Sequence, residues 1–318
     1  MVNSLVAYTR LLHWLMKLVG MRQEEVHIEP GTVIHFWVPS ETTSKTNDLH
    51  NQPKNKKQNP QKPVVVFLHC FGLSGILTWQ FQVLALSRKY LLYVPDFLFF
   101  GGSTTRRNDR SPGFQAESMA KALRQLGIHR CTLVGLSYGG MVGFKMAEMF
   151  PDLVHSMVIC CSVMALTDSI SRVSLARLGF SSWSEILIPN NINGVKELLN
   201  VVSYRSQWTP EFLRKDILEV ISENKEEKTE LLEALEVKDK DFGISKFSQK
   251  IHLLWGKEDK IFNMEVAYNL KEQLEGKATL DAIEKAGHLV QLERPFVYNS
   301  CLEKILDSFY NYDDLKQE

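Results

Sequence analysis

The chain has 318 residues, 44% of them hydrophobic and 23% charged, enough for one large α/β domain with an insertion or for two small domains. Its 37 basic residues are balanced by 37 acidic ones, so no net field favours nucleic acid or an acidic substrate, and a nucleic-acid partner is not expected. The five cysteines (Cys70, Cys131, Cys160, Cys161 and Cys301) are scattered without metal-ligand spacing, which points to a reducing, cytoplasmic compartment and away from a zinc site.

In chain order, Leu5, Tyr8, Leu12, Leu15 and Val19 recur at helical spacing, while Asn3, Arg10, His13 and Lys17 form a polar stripe. The pattern predicts an amphipathic helix over residues 1–21. Charge within the segment argues against a secretory leader. Two readings stand for this helix: packing on the domain near a pocket mouth, or peripheral contact with a membrane beside a lipid substrate. Val26–Ile28 and Val33–Val38 read as opening antiparallel strands. Residues 40–63 are rich in Lys, Asn, Gln, Thr and Ser and almost devoid of apolar side chains, so a mobile surface loop is expected there.

From Pro63 the grammar becomes strand–helix–strand. Val64–Leu68 is a continuous apolar run suited to a strand buried on both faces. A helix follows over Leu77–Arg88, then a strand over Leu91–Val94. The next helix has Ser111 as N-cap, Pro112 at its first position and Gly127 just beyond its end. Thr132–Val134 is a strand, Met141–Met149 a helix and Val154–Cys160 a strand. Residues 164–246 break the alternation with a helical pattern carrying Phe180, Trp183, Tyr204, Trp208 and Phe212. The alternation then resumes with strand Ile251–Trp255, helix Met264–Leu274, strand Thr279–Ile283 and a closing helix from Pro295. This is the pattern of a mostly parallel, doubly wound α/β sheet. The predicted core is residues 22–163 and 247–318, with 164–246 as a helical cap over a site.

Gly135-Leu136-Ser137-Tyr138-Gly139 lies directly between a buried strand and a helix. A strand that turns into a helix this sharply thrusts its serine outward, and flanking glycines let the neighbouring backbones approach. Alone, G-x-S-x-G arises by chance on the order of once per ten chains of this length; its position gives it weight. A serine nucleophile needs a base, and the base needs an orienting acid. His288 follows the last predicted strand and Asp259 the one before it, on the carboxyl rim where open α/β sheets build their sites. Glu258 and, more remotely, Asp168 are alternative acids. The oxyanion of an acyl-transfer intermediate needs N–H donors; those of Tyr138 and Phe71 are the candidates.

These motifs resemble the α/β-hydrolase superfamily from about Val26 to the end of the chain. They are His69-Cys70-Phe71-Gly72, Pro95-Asp96 with Gly101-Gly102-Ser103, the Ser137 elbow, Trp255-Gly256 with Asp259, and Gly287-His288 with Glu293 and Pro295. Within it, the chain is similar to capped lipases and esterases of the monoacylglycerol-lipase-like group, with Tyr93–Ser103 resembling plant members, and to meta-cleavage-product C–C hydrolases. The resemblance implies a carboxylic ester hydrolase acting on an apolar or lipid-like small molecule without metal or organic cofactor. The C–C hydrolases carry a glycine-rich oxyanion loop with a nearby proline, which is missing here. A hydrolase-fold ligand receptor that keeps the triad is the non-enzymatic alternative. The family's His-Gly-Phe-Gly reads with cysteine at position 70; because cysteine resists backbone angles that glycine tolerates, the oxyanion loop is expected to sit differently or the added thiol to contact substrate. Cys70, Trp183 and Trp208 are the expected substrate-binding residues.

Overall fold

The computed structural model describes residues 3–41, 62–205 and 208–314. The expected loop over 40–63 therefore lies almost wholly outside the described residues. Helix α1 (Ser4–Leu18) opens the chain and is capped by the Asn3 side chain, which accepts from Leu5 and Val6 N–H. Strands β1 (Met21–Glu29) and β2 (Thr32–Pro39) form an antiparallel pair. Then come β3 (Val64–Leu68), α2 (Gly75–Leu86), β4 (Leu91–Pro95), the two-residue β5 (Thr104–Thr105), α3 (Pro112–Gln125), β6 (Cys131–Leu136), α4 (Tyr138–Met149) and β7 (Val154–Cys160). Ser111 caps α3 as its sequence predicts, its hydroxyl accepting from Phe114 N–H at 3.1 Å.

Between β7 and the next core strand lie β8 (Leu166–Thr167), α5 (Asp168–Leu178), α6 (Trp183–Leu187), α7 (Ile192–Val202), α8 (Glu211–Ser222), α9 (Lys225–Leu235) and β9 (Glu236–Val237). β8 and β9 pair in parallel, clasping the start and end of this helical insertion. The core closes with β10 (Lys250–Gly256), α10 (Met264–Gln273), β11 (Ala278–Ile283), α11 (Val290–Glu293) and α12 (Pro295–Asp314).

Among the described residues the main sheet runs β1-β2-β4-β3-β6-β7-β10-β11, with β5 added to β2. From β4 to β11 every neighbouring pair is parallel. Val65–Leu68 and all of β6 are buried, as strands covered on both faces must be. Parallel strands end on one rim, so the loops after β3, β6, β7, β10 and β11 converge there.

Helix α1 corrects one expectation. Leu12 and Met16 are its buried residues, and His13, assigned to the polar stripe, packs edge-on against Trp37 with ring centroids 5.0 Å apart. Tyr8, assigned to the apolar stripe, is exposed, and its hydroxyl bonds Gln80. The buried face is thus rotated from the predicted one. Leu11, Trp14 and Leu18, at i, i+3 and i+7, form a second apolar stripe that faces outward, each more than half exposed.

Candidate active site

Ser137 sits between β6 and α4 with φ +53° and ψ −118°, a region that costs a non-glycine residue about 1–3 kcal/mol. The turn is possible only because its flanks are bare. A Cβ on Gly139 would lie 2.3 Å from Leu68 O, and one on Gly135 2.6 Å from Gly139 O. Ser137 N–H donates to Cys160 O at 2.9 Å, and Ser162 Oγ donates to Ser137 O at 2.6 Å. Both bonds brace the strained residue against the neighbouring strand.

His288 and Asp259 are buried. Asp259 Oδ2 accepts from His288 Nδ1 at 2.9 Å, while its Oδ1 accepts from Ile261 N–H at 2.8 Å and Phe262 N–H at 3.1 Å. The carboxylate is therefore fixed at both oxygens, and the imidazole presents its other nitrogen elsewhere. The alternative acids point away. Glu258 Oε2 is occupied by Ala286 N–H at 3.0 Å, and Asp168 is exposed at the start of α5. Glu293 fastens the histidine loop to the insertion, taking Gly287 N–H at 2.9 Å and Tyr204 N–H at 2.8 Å; burial raises its pKa above the usual carboxylate range.

The loop after β3 is braced by His69. Its Nδ1–H donates to Cys70 O at 2.7 Å and its Nε2 accepts from Phe97 N–H at 2.8 Å, which fixes the neutral tautomer. Burial lowers its pKa and favours that same form. The strain anticipated at Cys70 is absent, because the left-handed conformation falls two residues later on Gly72, at φ +90°. Cys70 is buried with its Sγ 3.7 Å from Thr78 Oγ1, and burial pushes its pKa up to about 11, so the thiol is neutral. Among the described residues, neither Phe71 N–H nor Tyr138 N–H has a protein acceptor.

Ser137, His288, Cys70, Phe71 and Tyr138 all line one cavity of about 260 Å³. Its remaining walls are mainly aliphatic, and much of them comes from the insertion, with Leu198 and Val202 of α7, Ile217 and Ile221 of α8, and Leu232 and Leu235 of α9. Trp183 joins them, its ring held by an Nε1–H bond to Ser171 Oγ at 3.0 Å. Trp208 does not. It is 88% exposed and lies outside the cavity, because it falls in the loop before α8, whose apolar face supplies the lining instead. Ile261 and Phe262, absent from the sequence-based site, complete the wall beside His288. Their only sequence signal is adjacency to Asp259.

A mostly parallel sheet with a strained serine at its elbow and a histidine–carboxylate pair on the same rim is the architecture of the α/β hydrolases. The model of the family described as alpha/beta hydrolase fold matches residues 63–295, and the chain belongs to that family. It is a hydrolase of the α/β fold. Its sequence is 25% identical over 268 residues to monoacylglycerol lipase ABHD6 of Homo sapiens, covering 80% of this chain and 79% of that protein. A putative lipase from Acinetobacter baumannii aligns with a TM-score of 0.77 at 18% identity, over 96% of this chain and 97% of the other. The 2-hydroxy-6-oxo-6-phenylhexa-2,4-dienoate hydrolase of Rhodococcus aligns with a TM-score of 0.69 at 19% identity, over 92% and 99%.

Proposed function

We propose that the protein is a serine hydrolase that cleaves carboxylic esters of an apolar, lipid-like small molecule through an acyl-enzyme. The observation that carries this reading is the shared cavity. Its lining brings together the strained Ser137, the Asp259-held His288, Phe71 and Tyr138, whose N–H groups have no protein acceptor among the described residues, and a wall of aliphatic side chains. His288 Nε2 takes the Ser137 proton as Oγ attacks the ester carbonyl, and Asp259 stabilises the imidazolium. Phe71 and Tyr138 N–H receive the developing oxyanion. Collapse expels the alcohol, protonated by His288. Water, activated by the same imidazole, then releases the acid. The aliphatic lining favours an acyl chain over a charged group, and the similarity to a monoacylglycerol lipase supports a lipid-like ester. Peripheral contact with a lipid surface through the outward stripe of α1 is part of this proposal. No helix among the described residues is long and apolar enough to cross a membrane.

The test is fluorophosphonate labelling together with p-nitrophenyl esters of graded chain length. Wild-type protein is expected to label at Ser137 and to prefer medium or long acyl chains. Ser137→Ala should lose both labelling and turnover, the latter by about 10³-fold or more. Full turnover by Ser137→Ala overturns the proposal, and equal rates for short and long esters remove its lipid-like part. Faster cleavage of a vinylogous diketone than of any ester would assign C–C hydrolysis. Ligand-dependent thermal stabilisation with negligible turnover would assign a receptor.

A further inference from the structure

Directly after β7, Cys161 lies fully buried behind the Asp259–His288 pair. Its backbone is held at φ +45°, a conformation that a non-glycine residue keeps only when its surroundings demand it. Its Sγ accepts from Gly256 N–H at 3.4 Å, at the end of β10. The thiol sulfur, an Asp259 oxygen and a His288 ring nitrogen all lie within 4.8 Å of one another. Burial, and then the charge of Asp259, hold the thiol pKa well above its ordinary value, so the sulfur keeps its proton. The neighbouring Cys160 is engaged elsewhere, its Sγ pairing with Tyr298 Oη at 3.0 Å. A carboxylate has about four acceptor positions, and Ile261 N–H, Phe262 N–H and His288 Nδ1 fill three on Asp259.

We infer that Cys161 is a positioning residue for the candidate acid. Its S–H donates to the Asp259 carboxylate while its sulfur accepts from Gly256 N–H, so the ends of β7 and β10 together fix the angle from which Asp259 orients His288. The left-handed backbone at Cys161 is what aims the sulfur at both partners. This inference rests on the proposed roles of Ser137, Asp259 and His288.

The experiment compares full-length wild type with Cys161→Ala, Cys161→Gly and Cys161→Ser by steady-state hydrolysis of p-nitrophenyl butyrate. The low-field proton resonance of the His288–Asp259 hydrogen bond is recorded by NMR on the same proteins. Alanine and glycine remove the donor, and glycine also relaxes the backbone; serine keeps a donor of similar reach. Cys161→Ala and Cys161→Gly are expected to lower kcat about three- to tenfold at unchanged KM and to shift or broaden the resonance. Cys161→Ser should stay within about twofold of wild type. Wild-type kcat and an unmoved resonance in Cys161→Ala overturn the inference. So does a serine variant as impaired as alanine, or a glycine variant that equals wild type, since backbone relief rather than the donor would then decide. Should the wild type turn over no ester, the ester reading fails, while the resonance still tests Cys161: unmoved in the alanine and glycine variants, it overturns the inference.

Discussion

Glu258 and Asp259 are adjacent carboxylates that differ in what they touch. Asp259 Oδ2 holds His288 Nδ1, whereas Glu258 is taken up by Ala286 N–H. Replacing Asp259 with Asn keeps the size of the side chain but can present an N–H to the imidazole and stabilise the wrong tautomer. Asp259→Asn is expected to lower kcat for an ester by on the order of 10⁴-fold with little change in KM. Glu258→Gln, which keeps an oxygen for Ala286 N–H, should stay within about twofold. Steady-state kinetics of the two variants check this, and comparable losses in both would undo the assignment. At this scale the sequence is readable where a residue's role follows from backbone position. Ser137 is such a case, because the glycine spacing reports a close approach that only bare Cα atoms permit. Trp208 is not, because whether an aromatic residue in a loop turns inward depends on contacts from distant elements. Cys70 lines the cavity as expected, but its backbone angle is not legible in the same way: Gly72, two residues on, absorbs the unusual angle that a motif comparison position by position assigns to residue 70.

The regular elements of the core are legible because apolar runs, N-caps and turn residues encode them locally; the insertion reads only as broadly helical, and two-residue strands such as β5, β8 and β9 have no such signal. Junctions between elements depend on polar side chains that reach across the fold. Lys260 Nζ donates to Asn200 O at 2.7 Å and Ser203 O at 2.9 Å, and Leu289 N–H donates to Val202 O at 3.2 Å, so the two loops of the site grip the last turn of α7. Asp96 plays the same part at the end of β4. Its carboxylate accepts from Gly75 N–H at 2.7 Å, opening α2, from His35 Nδ1 of β2 at 3.0 Å, and from Gly102 N–H at 3.2 Å. Burial alone would raise its pKa, but the His35 bond, the nearby histidines and the Gly75 bond outweigh it and hold it below the usual value. A depressed carboxylate pKa stabilises the fold above the unfolded pKa of about 3.9, and that contribution is lost as pH falls through the lower folded value. Asp96→Asn should therefore cost about 2 kcal/mol at pH 7. The deficit should shrink below about pH 4, as the wild-type carboxylate also protonates. Denaturant unfolding across pH measures it, and a deficit independent of pH would contradict the ionised role.

At the scale of the whole molecule, an apolar substrate of the proposed kind would have to reach a site walled largely by the insertion. Helix α1 is fastened to the insertion, with Asn3 Nδ2 donating to Glu219 Oε2 at 2.7 Å and Ser4 N–H to Asp216 Oδ2 at 2.7 Å, both acceptors on α8. Its inner face packs through Leu12 and Met16. Both readings of the helix can therefore hold at once, one on each face. The outer face aligns Leu11, Trp14 and Leu18 beside Arg10 and Lys17, an apolar stripe edged with positive charge that matches an anionic lipid surface. Because α8 also lines the cavity, a lipid surface on α1 would lie next to the insertion that walls it. Wild-type protein is expected to float with phosphatidylserine-containing vesicles and to bind neutral ones more weakly. Replacing Leu11, Trp14 and Leu18 together with Ser should weaken vesicle binding by about tenfold or more. Arg10→Gln with Lys17→Gln should remove the salt-sensitive part, about 1 kcal/mol per charge. The ratio of vesicle-borne to dissolved ester turnover should fall with binding. If the triple variant floats as well as wild type, the stripe is ordinary surface, and the proposed membrane contact through α1 is overturned.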